Sequence, residues 1–239
     1  MDHTTGQPHS PDNMPPTRKA SVPAPAVQRL SLYLRELEAF HKQGVQTISS
    51  RQIGERLSLT DAQVRKDLAY FGQFGQAGIG YRVDELVGRI RWILGTDHTW
   101  NGLLVGAGNL GRALLSYRGF LGKGFHIVAA FDNDPALVGE RIGVRLGVEV
   151  LPMERLAEVV ADRAIQIAIL CVPADVAQTV AEQVVAAGIK GILNFAPAPL
   201  STPDDVAVVS VDLSVRLEQL AFRISARRLA EDAPPAKSR

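Results

Sequence analysis

Hydrophobic positions along the chain follow two periods, and the change from one to the other divides it. From Val27 the apolar residues Val27, Leu30, Leu34 and Leu37 recur at helical spacing, with Arg29, Arg35, Glu36 and Glu38 on other faces, until Gly44 ends the pattern. Ser49-Ser50-Arg51-Gln52 has the form of a capping box and opens a short helix through Leu57. Thr60-Asp61-Ala62-Gln63 repeats that form after the turn Ser58-Leu59, and Val64, Leu68 and Phe71 give the next helix a single buried stripe. Two short capped helices joined by a tight turn predict a helix-turn-helix. The glycine-dense stretch 72–82 predicts a hairpin resembling the wing of a winged-helix module, with Tyr81 and Arg82 near its tip, and Leu86, Ile90 and Ile93 predict a further helix over 83–94.

After a boundary at 95–102 the helical period gives way to short apolar runs. Strands are expected at 103–105, 125–131, 147–151, 165–172, 191–195 and 206–211, with helices running to Tyr117 and over 153–161 and 174–187. Doubly buried strands alternating with helices predict a parallel α/β sheet. A last helix begins at Asp212, with Leu213, Leu217, Leu220 and Ile224 on one face and Val215 and Phe222 on a second, more apolar surface than its own sheet can cover. Six of 14 prolines fall before residue 26, a composition too poor in apolar surface to offset ordering entropy. The organisation expected is a disordered arm over 1–25, a winged-helix domain over 26–95, a Rossmann-like domain over 96–211, a dimerisation helix over 212–229 and a disordered tail over 230–239.

Composition narrows the class. With 239 residues, 46% of them hydrophobic and 21% charged, the chain suits two folded domains. No run of about 18 apolar residues offers a membrane span, the first 25 residues hold no apolar secretory core, and the single cysteine, Cys171, cannot form an internal disulfide. A reducing cytoplasm is the compartment expected, with no membrane and no metal. The formal charge of +1 argues against a strong field for nucleic acid, but residues 26–82 carry eight basic against five acidic side chains, a mild asymmetry of the right sign.

The second helix of the helix-turn-helix puts its charge where DNA contact needs it. Lys66, Ala62 and Ala69 lie opposite the buried stripe, with Gln63 and Arg65 on the flanks. Small side chains let a helix approach base edges, Arg or Lys reaches guanine acceptors and Gln reaches adenine.

In the second domain Gly106-Ala107-Gly108-Asn109-Leu110-Gly111 follows a strand and opens a helix, and Asp132 ends the next strand. Gly106 permits the tight turn, Gly108 lets backbone approach a pyrophosphate, Gly111 lets helix and sheet pack closely, and Asp132 accepts from a ribose diol while repelling a 2′-phosphate. NAD(H) is the ligand expected, and coenzyme A remains an alternative that these glycines do not exclude. A dehydrogenase would also need a general acid or base. His126, Lys123 and Lys190 fall at the wrong edge of the sheet, Cys171 reads as a buried small hydrophobe, and Tyr117 is the one hydroxyl near the cleft. No room for a substrate domain is expected either, since the nucleotide fold itself takes up residues 102–229. A small NAD-dependent oxidoreductase with an accessory helix-turn-helix domain is thus the lesser reading, and a sensor of its own cofactor, not an enzyme, the greater.

The segments Val64-Arg65-Lys66-Asp67-Leu68-Ala69-Tyr70-Phe71-Gly72, Gly106-Ala107-Gly108-Asn109-Leu110-Gly111, Phe131-Asp132-Asn133-Asp134-Pro135, Ala187-Gly188-Ile189-Lys190-Gly191-Ile192-Leu193-Asn194-Phe195-Ala196-Pro197 and Val211-Asp212-Leu213 resemble those of the redox-sensing transcriptional repressors of the Rex family, in the same order over about 26–229. The resemblance implies a homodimer that binds a palindromic double-stranded operator when NADH is low and is released by NADH, with NAD competing at the same site. It adds Tyr117, Val172, Pro173 and Asn194 to the cofactor site and Arg29, Ser49, Tyr70 and Tyr81 to the DNA surface. It also implies a switch in which Asp212 meets Tyr117 across the dimer in the NADH state and Arg35 of the partner in the DNA-competent state, with the last helix exchanged between subunits.

Overall fold

The computed structural model describes residues 22–75, 78–143 and 147–231, and the side chains of 227–231 are left out of account. Residues 1–21 of the expected arm and 232–239 of the expected tail lie outside the described residues. Two compact units meet between His98 and Thr99.

In the first unit α1 (Ala24–Lys42) is followed by β1 (Thr47–Ile48), α2 (Ser50–Leu57), α3 (Asp61–Ala69), β2 (Tyr81–Arg82) and α4 (Val83–Leu94). α1 starts inside the stretch expected to be arm, because Pro25 falls in its first turn, where the missing N–H has no partner to lose. Leu30, Tyr33, Leu34 and Leu37 of α1 pack on Ile53, Val64, Leu68, Leu86 and Ile90. The box at α2 is complete: Ser49 Oγ accepts from Gln52 N at 3.2 Å and Ser49 N donates to Gln52 Oε1 at 2.9 Å. The box at α3 is only half made. Thr60 Oγ1 accepts from Gln63 N at 3.1 Å, but the Gln63 side chain turns instead to Asp67.

The glycine-rich stretch holds no hairpin of its own among the described residues. Its strand, β2, pairs backwards with β1 in antiparallel register, Ile48 opposite Tyr81. Gly80 permits this approach, since a Cβ there would lie 2.5 Å from the Ile48 carbonyl oxygen. Tyr81 is therefore drawn into the core, 9% exposed, and the expected exposed tip residue is a packing residue.

A polar cluster ties α1 to α3. The wholly buried Asp67 carboxylate accepts from Arg29 Nε and Nη2 at 2.5 and 2.9 Å, from Tyr33 Oη at 2.6 Å and from Gln63 Nε2 at 2.7 Å. Burial by itself would raise the Asp67 carboxyl, but the hydrogen bonds from Arg29, Tyr33 and Gln63 outweigh it and hold the group below the ordinary carboxylate range.

The second unit runs β3 (Trp100–Val105), α5 (Asn109–Leu115), β4 (Phe125–Phe131), β5 (Arg141–Ile142), β6 (Val148–Leu151), α6 (Leu156–Asp162), β7 (Ile167–Leu170), α7 (Ala174–Ala186), β8 (Gly191–Asn194), β9 (Ala207–Ser210) and α8 (Leu213–Glu231). The sheet order is β5-β6-β4-β3-β7-β8-β9. All neighbours are parallel except β5 and β6, so the sheet expected to be parallel carries one antiparallel edge, a strand too short to leave an apolar run. From β6 to β9 this is the doubly wound order, with its switch point between β3 and β7. Leu156, Val159, Val160, Val180, Ala181 and Val184 of α6 and α7 cover one face of the sheet. On the other, Leu115 of α5 packs with Leu104, Ala130, Val150 and Ile169.

Over β7, β8 and β9 that second face stays open as an apolar groove of about 570 Å³, lined among others by Trp100, Phe125, Ile167, Leu193 and Val209. α8 in turn exposes Leu213, Val215, Leu217, Leu220, Ile224 and Phe222, the last 73% exposed. Neither apolar surface is covered within the described chain.

Because the Asp67 carboxyl titrates lower when folded, its contribution to stability is complete above the unfolded value near 3.8 and is lost as the pH falls through the folded value. Acid titration followed by circular dichroism is expected to show helix loss from the first unit only below that range, with Asp67→Ala already destabilised at neutral pH.

Candidate functional site

The turn between β3 and α5 stands at the switch point of the sheet. Gly106 adopts φ +96°, and a Cβ there would fall 2.5 Å from the Cys171 carbonyl oxygen and 3.1 Å from Val172 Cγ1, so the ends of β3 and β7 close on each other only around glycine. At Gly111 a Cβ would stand 2.0 Å from the Gly106 carbonyl oxygen, which is why the helix can turn back so tightly over the loop. Gly108 differs from both. A Cβ on it would meet nothing within 4 Å, and Gly108, Asn109 and Leu110 are exposed. The backbone there is open to a ligand, and first-turn N–H groups without intrahelical partners favour an anion.

Asp132 closes the other side. Its Oδ2 accepts from Ala107 N at 2.7 Å and its Oδ1 from Asp134 N at 2.9 Å. The carboxylate thus clasps the glycine loop as well as facing the crevice, and each oxygen keeps a lone pair for a hydroxyl. Val172 is partly buried beside Gly106, and Pro173 is exposed at the start of α7. Asn194 is placed otherwise than expected. It is wholly buried, with Nδ2 donating to the carbonyls of Ala196 and Ala198 at 3.2 and 2.9 Å and Oδ1 accepting from Ala196 N at 2.9 Å. Its amide is consumed in shaping the rim of the crevice. Burial pushes the Cys171 thiol up to about 12. Among the described residues no cluster of acidic, His and Cys side chains could hold a metal ion.

In the first unit Ala62, Arg65, Lys66, Ala69 and Tyr70 are exposed on or just beyond α3. Lys66 has no ion partner among the described residues, whereas Arg65 Nη1 donates to Asp61 Oδ2 at 2.7 Å and Ser50 Oγ at 3.1 Å. Ser49 is spent on its cap. Arg29, expected at DNA, is engaged through two nitrogens with Asp67, a structural tie. Asp67 itself was missed by sequence reasoning, since its partners Arg29 and Tyr33 lie on another helix.

The three residues of the expected switch each make a local contact. Arg35 Nε donates to Glu36 at 3.3 Å. Tyr117, just beyond α5 and 59% exposed, stands edge-on to Phe120 with ring centres 5.1 Å apart. Asp212 Oδ1 accepts from Ser214 N at 2.8 Å and Val215 N at 3.1 Å, capping α8.

Known proteins match both units. The family described as "CoA binding domain" matches residues 97–198 and that described as "Putative DNA-binding protein N-terminus" residues 21–69. A redox-sensing transcriptional repressor Rex from Carboxydothermus hydrogenoformans is 52% identical over 85% of this chain and 96% of its own, and one from Desulforamulus reducens is 48% identical over the same shares. Among solved structures, RSP in complex with NAD+ and operator DNA is 40% identical, covers 92% of this chain and 100% of its own and has a TM-score of 0.81. RSP with NADH is 39% identical over 89% and 99%, with a TM-score of 0.77.

Two measurements check the site. Cys171 should resist iodoacetamide near neutral pH in the folded protein and react fully in denaturant, as a thiol held near 12 requires. Gly111→Ala should lower the melting temperature, since overpacking against a backbone carbonyl costs about 1–3 kcal/mol, and should weaken dinucleotide binding in a calorimetric titration.

Proposed function

The chain belongs to the Rex family of redox-sensing transcriptional repressors, and from that premise we propose that it reads the NADH/NAD ratio, holding a palindromic operator as a homodimer when NADH is scarce and letting go when NADH binds. It is a DNA-binding regulator, not an enzyme, and NADH and NAD are its effectors. One observation carries the reading above the others: a glycine-lined crevice at a sheet switch point and a helix with small and basic outward residues occur in one chain, matched over almost its whole length by a relative solved with NAD+ and operator DNA.

The loop from Gly106 to Gly111 receives the pyrophosphate on the backbone N–H groups of Gly108, Asn109, Leu110 and Gly111, while Gly106 and Ala107, whose N–H groups donate to the Phe131 carbonyl and to Asp132, shape the turn beneath it. Asp132 receives the ribose diol, and Val172 and Pro173 form the opposing wall. Lys66, Arg65, Gln63 and Tyr70 meet the operator. The homodimer accounts for the two uncovered apolar surfaces together: α8 of a second copy lies in the groove over β7, β8 and β9. Asp212 keeps Oδ2 for a second partner while Oδ1 caps α8, so Tyr117 and Arg35 compete for it in the two states. Such a contact is bistable, and NADH shifts it only by its difference in affinity for those states. Among the described residues no helix is long and apolar enough to cross a membrane, and a repressor of this kind works in the cytoplasm.

A mobility shift on a duplex selected from a random pool, titrated separately with NADH and with NAD, should show binding weakened far more by NADH. Equal effects of the two would overturn the reading. Asp132→Ala should lose NADH binding and leave a complex with DNA that NADH no longer dissociates. Lys66→Ala should lower DNA affinity at unchanged NADH affinity, both read by fluorescence titration.

A further inference from the structure

The four hydrogen bonds to Asp67 are divided two to each oxygen: Arg29 Nη2 and Gln63 Nε2 on Oδ1, Arg29 Nε and Tyr33 Oη on Oδ2. That fills the roughly four lone-pair sites a carboxylate offers. A carboxylate only accepts, so the end of the Gln63 amide that faces it is the NH2. Turned over, the amide would set its carbonyl oxygen against Oδ1 with no hydrogen between them, and the wholly buried carboxylate would lose one of its four donors. The facing of the Gln63 amide is thus decided within the protein.

Gln63 stands on the first turn of α3, the end of a recognition helix that meets base edges in helix-turn-helix docking. Its Oε1 accepts no hydrogen bond from any described residue, and only one of its two amide hydrogens is held. What remains is a carbonyl acceptor beside an N–H donor. In the major groove that pair fits the N6 donor and N7 acceptor of adenine, whereas guanine presents two acceptors and would face the Gln63 oxygen with a like group.

We propose that Asp67 is a specificity-determining positioning residue, which by holding one hydrogen of the Gln63 amide fixes the way that amide faces and sets it to read an adenine in each operator half-site. The proposal rests on the reading of α3 as the DNA-contacting helix. Arg29 and Tyr33 serve it indirectly, by filling the other acceptor sites of Asp67 and holding the carboxylate still.

The test uses the full-length protein and its Gln63→Ala, Asp67→Ala, Gln63→Ala/Asp67→Ala, Tyr33→Phe and Lys66→Ala variants, each selecting from a pool of random DNA duplexes whose bound fraction is sequenced, with melting temperatures measured alongside. Wild type should enrich an A·T pair at one position of each half-site, and Gln63→Ala should lose that preference by about tenfold or more. Asp67→Ala should lose the same preference at the same position, and the double variant no more than either single one. Tyr33→Phe should lower the melting temperature and keep the preference. Asp67→Ala binding all sequences more weakly with the A·T preference intact would overturn the proposal, because a purely structural role does that. Should Asp67→Ala fail to fold, nuclear magnetic resonance of the free wild-type protein decides: one slowly exchanging hydrogen on the Gln63 side-chain amide is expected, and two exchanging equally fast would overturn it. Lys66→Ala separates the premise from the proposal. Undiminished binding by this variant to every duplex would remove α3 from the DNA, whereas weakened binding together with an Asp67-independent base preference would leave the premise standing and refute the role of Asp67.

Discussion

A polar group taken out of water must find its hydrogen bonds inside the protein, and this requirement organises both units. Leaving one unmet costs on the order of 1–3 kcal/mol and more for a charge, a large part of the stability of an ordinary domain. Asp67 meets it with four donors drawn from two helices, and in doing so fixes the position of α3 on α1. Asp132 meets it with backbone N–H groups and so clasps the glycine loop over the crevice. Asn194 meets it within its own loop and shapes the rim. The elements that bear function are held by hydrogen-bonded polar side chains, while apolar packing supplies the bulk of the cohesion around them.

The apolar surfaces follow the opposite logic. Two helices cover one face of the sheet, but over β7, β8 and β9 the other face is open, and α8 is apolar on two sides with nothing of its own to pack on. Exposed apolar surface of this extent marks an interface. A ligand bound at the switch point touches the same sheet whose open face receives a second copy in the proposed dimer, so cofactor occupancy and subunit arrangement share one rigid element. Asp212 sits where that sheet hands the chain to α8, with one oxygen committed to the cap and one left over. A device with two alternative partners needs such a spare acceptor.

Several elements were legible in the residue pattern. The period of 3.6 located α1, α3, α4 and α7, and the glycine spacing with Asp132 located the crevice. The signals that misled were local ones with more than one tertiary outcome. Glycines at 72, 75, 78 and 80 suit a hairpin, yet the strand beside them pairs with β1 more than thirty residues back and draws Tyr81 into the core. The form Thr60 to Gln63 suits a reciprocal cap, in which the Gln63 carbonyl would accept from Thr60 N, but the buried Asp67 carboxylate one turn on accepts from the Gln63 amide N–H and draws the side chain away from the cap. The resemblance implied Asn194 as a ligand contact; its side chain is buried and makes three bonds within its own loop, which engage both amide hydrogens.

By itself the sequence determined what depends on neighbours a few residues apart: the periods of helices and strands, the caps, the glycines that a tight turn and a close helix require, and the excess of apolar surface on the last helix. Only the tertiary structure decided which polar side chains were spent on the protein and which were left for a ligand. Arg29 and Asp67 are 38 residues apart and Ala107 and Asp132 are 25, so no local pattern carries their pairing. The physical reason is that a donor or acceptor has few sites to fill, and whichever partner the fold brings first within reach takes them, leaving function to what remains: Lys66 on its helix, the open backbone at Gly108, and the unclaimed oxygens of Gln63 and Asp212.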